Sequence, residues 1–291
     1  MDRVKTGIFG LDQLIEGGFV GKSVVVLIGS SGTGKSTFAM QFLQHGIDQG
    51  EQGLYVTLEE PPEQILRESD MMGFNLRAHH EKDLFFIHLK GRNFKKMIEE
   101  QLPALVKARS DYDIKTRVVI DPMTPLIWAD TDKLEQRELI GKLFYTLKDL
   151  GVVLATVEEH ARAGESLGEE VLLPTYLSDG ALHLEYYPIG GAFNRTMKIV
   201  KMRGTHHGEG IYPYIFVRGV GVVVRASALE GQKLEDGKTF GEVMDKAIQT
   251  AELGKAPPHV LARLKSMKAN WDYPYSPEEA LHIMFESYGL K

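Results

Sequence analysis

The sequence predicts an α/β protein with a mainly parallel sheet flanked by helices, an antiparallel β extension and a C-terminal helical segment. Three observations predict it. A strand–loop–helix unit carries the glycine-rich run VVVLIGSSGTGKST at 24–37. Short apolar runs alternate with helical stretches as far as Thr156, the pattern of a parallel sheet covered on both faces. Beyond Gly180 the periodicity falls to two, as in antiparallel strands.

At the N-terminus, Thr6 is expected to cap a short helix carrying Ile8, Leu11, Leu14 and Ile15, stopped by Gly17 and Gly18. The run Gly29 to Ser36 then fits G-x-x-x-x-G-K-[ST] between an apolar strand and a helix. Such a loop curls around an anion with its backbone N–H groups inward. Side chains at Gly29, Gly32 and Gly34 would obstruct that approach, and the following helix adds free N–H groups and a positive dipole end. Ser30, Ser31, Gly32, Thr33, Gly34, Lys35, Ser36 and Thr37 are therefore the candidate residues for a nucleoside triphosphate. Lys35 reaches the β- and γ-phosphates, and the Ser36 hydroxyl is placed for Mg²⁺.

Residues 54–58 read as a second buried strand, ending in Glu59-Glu60-Pro61-Pro62 and followed by a helix over 63–71. Residues 84–89 make a third strand. A charged helical stretch at 94–109 is interrupted by Pro103. The run 117–121 is a further strand ending in Asp121. Asp130 or Asp132 starts a helix to Asp149 with Leu134, Leu139, Leu143 and Leu147 on its apolar side. The next strand spans 152–156, and a long loop spans 158–180. Antiparallel strands follow at 181–186, 195–203, 211–217 and 220–225. The tail predicts three helices: one after Thr239, one opened by Pro257-Pro258, and one from the capping box Ser276-Pro-Glu-Glu279.

Composition narrows the classes. The 291 residues suit one large domain or a domain with an extension, and 43% apolar content supports a full core. The absence of Cys removes disulfides, thiolate nucleophiles and thiolate metal sites. The start MDRVKTGIFG lacks a signal-peptide apolar core and no stretch of 18 apolar residues occurs, so no membrane span and a cytoplasmic location are expected. A net charge of −6 gives no pull toward nucleic acid. Residues 158–170 hold five Glu and one Arg, Arg162, the opposite of a DNA-guiding loop.

Ligands in parallel sheets bind at the carboxyl ends of strands, where Gly29, Glu59 and Asp121 all fall. Asp121 is the natural partner of Ser36 for Mg²⁺. Glu59 and Glu60 close a strand expected beside the loop strand, and hydrolysis needs a carboxylate to orient or deprotonate water. Adjacent residues leaving a strand point opposite ways, so at most one should aim at the phosphate. On the residues alone the pair reads equally as a solvated helix N-terminus. Lys201 and Arg203 share a face if 195–203 is a strand and could sense phosphate charge; spacing alone favours a solvated strand face. The pairs His79-His80 and His206-His207 are poor metal candidates.

Together these stretches resemble the KaiC-like branch of the RecA-like ATPases. The resemblance covers about three quarters of the chain and rests on TGIFGLDQLIEGG, GSSGTGKST, GLYVTLEEPPEQIL, RVVIDPMTPLI and KMRGTHHGEGIYPY. It implies an ATPase domain over 1–225 and leaves 226–291 as a helical extension, a cap or a partner-binding module. It implies ATP with Mg²⁺, Glu59 and Glu60 as the catalytic pair, and Asp121 at the Walker B position. Lys201 and Arg203 match a Lys-x-Arg that a neighbouring subunit inserts toward the γ-phosphate, with Thr205 and His207 in the same segment. The site would then lie between subunits of a homohexameric ring with slow hydrolysis and a regulatory or signalling role. Only one such domain is present, so clock function does not carry over. The alternatives are a nucleotide-gated assembly that docks a partner with negligible turnover, an autokinase using Thr175 or Ser178, and a DNA recombinase, which the acidic loop opposes.

Overall fold

A computed structural model describes residues 2–89, 94–110, 115–129, 132–160, 168–186, 195–225, 240–270, 281 and 284–285. In chain order, β1 (Arg3–Val4), α1 (Leu11–Leu14) and β2 (Phe19–Val20) make an N-terminal hairpin, with β1 and β2 antiparallel. The chain continues through β3 (Val24–Gly29), α2 (Lys35–Asp48), β4 (Gln52–Thr57), α3 (Pro62–Met72), α4 (Leu76–His79) and β5 (Leu84–His88). Next come α5 (Phe94–Lys96), a π turn (Met97–Gln101), α6 (Leu102–Ser110), β6 (Thr116–Asp121), α7 (Thr124–Trp128), α8 (Lys133–Leu147), β7 (Gly151–Glu158) and α9 (Glu169–Leu177). Four strands follow: β8 (Gly180–Tyr186), β9 (Arg195–Met202), β10 (Ile211–Val217) and β11 (Gly221–Val224). The helices α10 (Phe240–Leu253) and α11 (Pro258–Asn270) complete the order.

Nine strands form one sheet in the order β11-β10-β9-β8-β3-β7-β6-β4-β5. The pairs from β8 through β5 are parallel, and β9, β10 and β11 add antiparallel partners at the other edge. Central strands bury both faces, which is why they read as continuous apolar runs. Alternate residues feed different cores: Val25, Leu27, Val119 and Leu154 pack under α2 and α3, while Val24, Val26, Val118, Ile120 and Val153 pack under α5 to α9. A third core joins Ile215, Val217 and Val223 to Met244, Val260, Leu264 and Met267 of α10 and α11. An Arg263–Asp48 ion pair at 3.1 Å, with side chains 7% and 8% exposed, also ties α11 to the end of α2.

Several expectations need correction. The strand leading to Glu59 does not lie beside the loop strand: β7 and β6 separate β4 from β3, because the chain crosses over α2 and later strands insert into the gap. Thr6 caps no helix. Its hydroxyl donates to Asp12 Oδ1 at 2.7 Å and accepts from the Ile8 N–H. The cap of α1 is Gly10, at φ +82°, where a Cβ would meet the Val224 carbonyl oxygen at 2.0 Å. Asp132 caps α8 by accepting from Leu134 and Glu135 N–H groups. Leu134 is 66% exposed, and the inner face is Ile140, Leu143, Phe144 and Leu147, the 3-4-7 spacing of one helix side.

The expected 158–180 loop contains α9, which sequence hides because Pro174 lies inside it and its apolar residues run consecutively. β8 pairs antiparallel with β9, as expected, and its other edge runs parallel to β3. Pro103 does follow an irregularity, but as a π turn leading into α6; the wider turn accommodates a residue without an N–H. Of the third C-terminal helix, only Leu281, Met284 and Phe285 are described, and they pack into the third core. The rest of 271–291, Asp130, and the acidic loop's 161–167 with Arg162 lie outside the described residues. Among the described residues no helix is long and apolar enough to cross a membrane.

Candidate active site

The loop between β3 and α2 takes its shape from glycine and from what packs behind it. Gly34, at φ +89°, opens α2, and a Cβ there would sit 2.0 Å from the Phe216 ring. A Cβ on Gly29 would meet the Leu184 carbonyl oxygen and Thr33 Oγ1, each at 2.7 Å. Thr33 is fully buried; its hydroxyl donates to the Ser30 carbonyl at 2.8 Å and its own carbonyl accepts from Tyr214 OH at 2.7 Å. The loop is thus held from beneath by β10 while its upper surface faces a cleft of about 490 Å³. Ser31, Gly32, Gly34, Lys35, Ser36 and Thr37 line that cleft; Ser30 and Thr33 stand behind it as braces.

Lys35 Nζ donates to the Gly29 and Ser30 carbonyls at 2.8 and 3.1 Å. Burial lowers its pKa, and Glu158, Asp121 and Glu159 pull it back up. Asp121 ends β6 on the cleft wall and is 7% exposed. Its carboxylate accepts from Tyr55 OH at 2.5 Å and from the Thr156 hydroxyl.

Glu59 and Glu60 both line the cleft. The strand ends at Thr57, so the pair sits in a bend where strand alternation no longer applies. Thr57 Oγ1 fixes that bend by donating to the Glu60 carbonyl at 2.7 Å, and Gln64 Nε2 donates to Glu60 Oε1 at 2.9 Å. Both carboxyls are shifted above the ordinary Glu value. Desolvation is the main cause for each; Glu158 and Asp121 add to Glu59, and Glu68, Asp121 and Glu59 add to Glu60.

Glu158, which sequence reasoning did not single out, also lines the cleft. It ends β7 in register with Gly29. The signal was available, since 152–158 is an apolar run ending in an acid, as 117–121 is. Tyr55, Ile65, Met72 and Phe216 complete the less polar side of the cleft.

Lys201 and Arg203 stand apart from this cleft. Lys201 lies in β9 and donates to the Ser178 carbonyl at 2.6 Å. Arg203 follows the strand and donates to the Tyr176 carbonyl at 3.4 Å. Both side chains reach the segment 176–179, so they do share a side. Burial and the Arg203 charge lower the Lys201 pKa. Thr205 Oγ1 accepts from Arg3 at 2.7 Å, which braces the same loop against the N-terminal hairpin.

The cleft fits a triphosphate with a hard cation. Its oxygen groups include the hydroxyls of Ser36, Ser31 and Thr37 and the carboxylates of Asp121, Glu59, Glu60 and Glu158, and among the described residues no imidazole lines it. A glycine-rich loop at the end of a buried parallel strand, with an acid two strands away, defines a P-loop nucleotide-binding protein of the RecA-like fold.

A family model described as "ATPase: KaiC" matches residues 4–228, and the chain belongs to this KaiC-like ATPase family. It is 33% identical over 231 residues to a UPF0273 protein of Pyrococcus furiosus, covering 73% of this chain and 90% of that one. A UPF0273 protein of Methanopyrus kandleri is 31% identical, with 74% and 88% covered. The circadian clock oscillator protein KaiC of Prochlorococcus marinus is 32% identical over 231 residues, but the match spans only 44% of that protein. The crystal structure of a KaiC-like protein from the hyperthermophilic archaeon Pyrococcus horikoshii superposes with a TM-score of 0.64 at 29% identity, covering 77% of this chain and 99% of that one.

Proposed function

We propose that this protein is a slow, Mg²⁺-dependent ATPase whose sites lie between subunits of a homo-oligomeric ring, hexameric by family resemblance. Residues 1–225 form the ATPase domain and 226–291 a helical extension. The observation that carries this reading is a single cleft that brings the phosphate loop, Asp121 and the Glu59-Glu60 pair together. The loop N–H groups and Lys35 bind the phosphates. Ser36 and Asp121 hold Mg²⁺, which when bound neutralises phosphate charge. One of Glu59 and Glu60 takes the proton of the attacking water while the other keeps the local field negative. Lys201 and Arg203 act on the nucleotide of the neighbouring subunit, in keeping with their distance from the cleft of their own chain.

Phosphate release from ATP is expected to require Mg²⁺ and to stop in EDTA. It should also carry a pH signature. A base with a raised pKa loses its ionised form at a higher pH than an ordinary Glu. Activity should therefore rise with pH through a limb displaced above the usual carboxylate range, then level off. A kcat profile already flat through that range would count against either Glu as the base.

A further inference from the structure

A carboxylate that serves a cation must present particular lone pairs, and the bonds made to the rest of it decide which ones. Asp121 is gripped from both sides. β6 lies between β4 and β7, and each neighbour sends one hydroxyl to the Asp121 carboxylate. Tyr55 of β4 donates to Oδ2 at 2.5 Å. Thr156 of β7 donates to Oδ1.

Both donors are buried, Tyr55 at 1% exposure and Thr156 at 0%. A hydroxyl at either position would be costly without a partner. The Tyr55 ring is itself fixed, stacked on Phe86 with centroids 5.5 Å apart. Each hydroxyl occupies one acceptor position on a different carboxylate oxygen, and the carboxylate they hold belongs to a residue that lines the cleft.

We propose that Tyr55 and Thr156 are positioning residues that together orient the Asp121 carboxylate for the divalent cation of the nucleotide site. The proposal rests on the reading of Asp121 as part of that cation site. It adds that the site's cation affinity depends on two side chains, one from each strand flanking β6, that act through Asp121.

The test is Mn²⁺ binding to the full-length protein saturated with ADP, with free Mn²⁺ followed by electron paramagnetic resonance. Tyr55→Phe and Thr156→Val should each weaken Mn²⁺ binding about tenfold, and the double variant by more, within the roughly 10–100-fold range known for outer-shell partners. ADP binding in EDTA should stay at the wild-type value. Thr156→Ser, which keeps the hydroxyl, should restore wild-type affinity, an outcome that mere loss of packing would not produce; this arm also serves if Tyr55→Phe fails to fold. Asp121→Asn separates the two claims. If it loses Mn²⁺ while Tyr55→Phe and Thr156→Val bind as wild type, the clamp is overturned and the cation site stands. If Asp121→Asn itself binds Mn²⁺ as wild type, the cation site is misassigned and the clamp falls with it.

Discussion

Replacing Glu59 and Glu60 together by glutamine is expected to slow phosphate release about 10²–10⁴-fold, the usual contribution of a positioned acid or base. ATP binding should hardly change. Glutamine keeps the shape and the hydrogen-bonding reach of both side chains but cannot take a proton. The cleft also gathers Asp121 and Glu158, so losing two carboxylates relieves repulsion against a polyanionic ligand. The expected split is therefore a large loss in kcat with KM unchanged or lowered. Single variants then assign the base, since the residue whose loss reproduces the double effect is the one that deprotonates water. Wild-type turnover in the double variant would remove both from the chemistry.

The second large effect is expected at Arg203. Its side chain is 63% exposed and lies near Asp179 at 3.9 Å, away from the cleft. Removing an arginine that neutralises charge on the transferring phosphoryl group costs roughly 10³–10⁵ in rate. Arg203→Ala should lose about that much while still binding ATP. Lys35→Ala should be inactive because it holds the phosphates poorly. If Arg203 acts in trans, mixing the two dead variants should recover activity. Random one-to-one assembly gives about a quarter of junctions an intact loop facing an intact arginine. A mixture as inactive as its components, with mixed assemblies shown to form, would place Arg203 outside the reaction or in its own subunit's site.

How much of this was legible in the sequence follows from how local each signal is. The phosphate loop was readable because its chemistry is written in eight consecutive residues and its flanking strand and helix. Asp121 stood out only because a phosphate loop precedes it; without that loop an acid at the end of an apolar strand reads as a turn cap. Strand order was not readable. Nothing in 52–57 says that β6 and β7 will insert between it and β3, since that choice is made by packing across the sheet. The helix over 169–177 was hidden by Pro174 and a consecutive apolar run that carries no helical period. Glu158 is obscured in the sequence because it is followed by Glu159 and merges with the acidic run after β7. Tyr55 reads as one more apolar strand residue until the register Thr57↔Asp121 brings its hydroxyl beside the carboxylate.

The most direct measurement is one incubation of the protein with γ-labelled ATP and Mg²⁺, following free phosphate and protein-bound label together. Free phosphate is expected to accumulate slowly and only with Mg²⁺, with no label remaining on the protein. Label held on the protein would make it an autokinase, and bound ATP with no phosphate released would make it a nucleotide-gated assembly; either result would contradict the hydrolase reading.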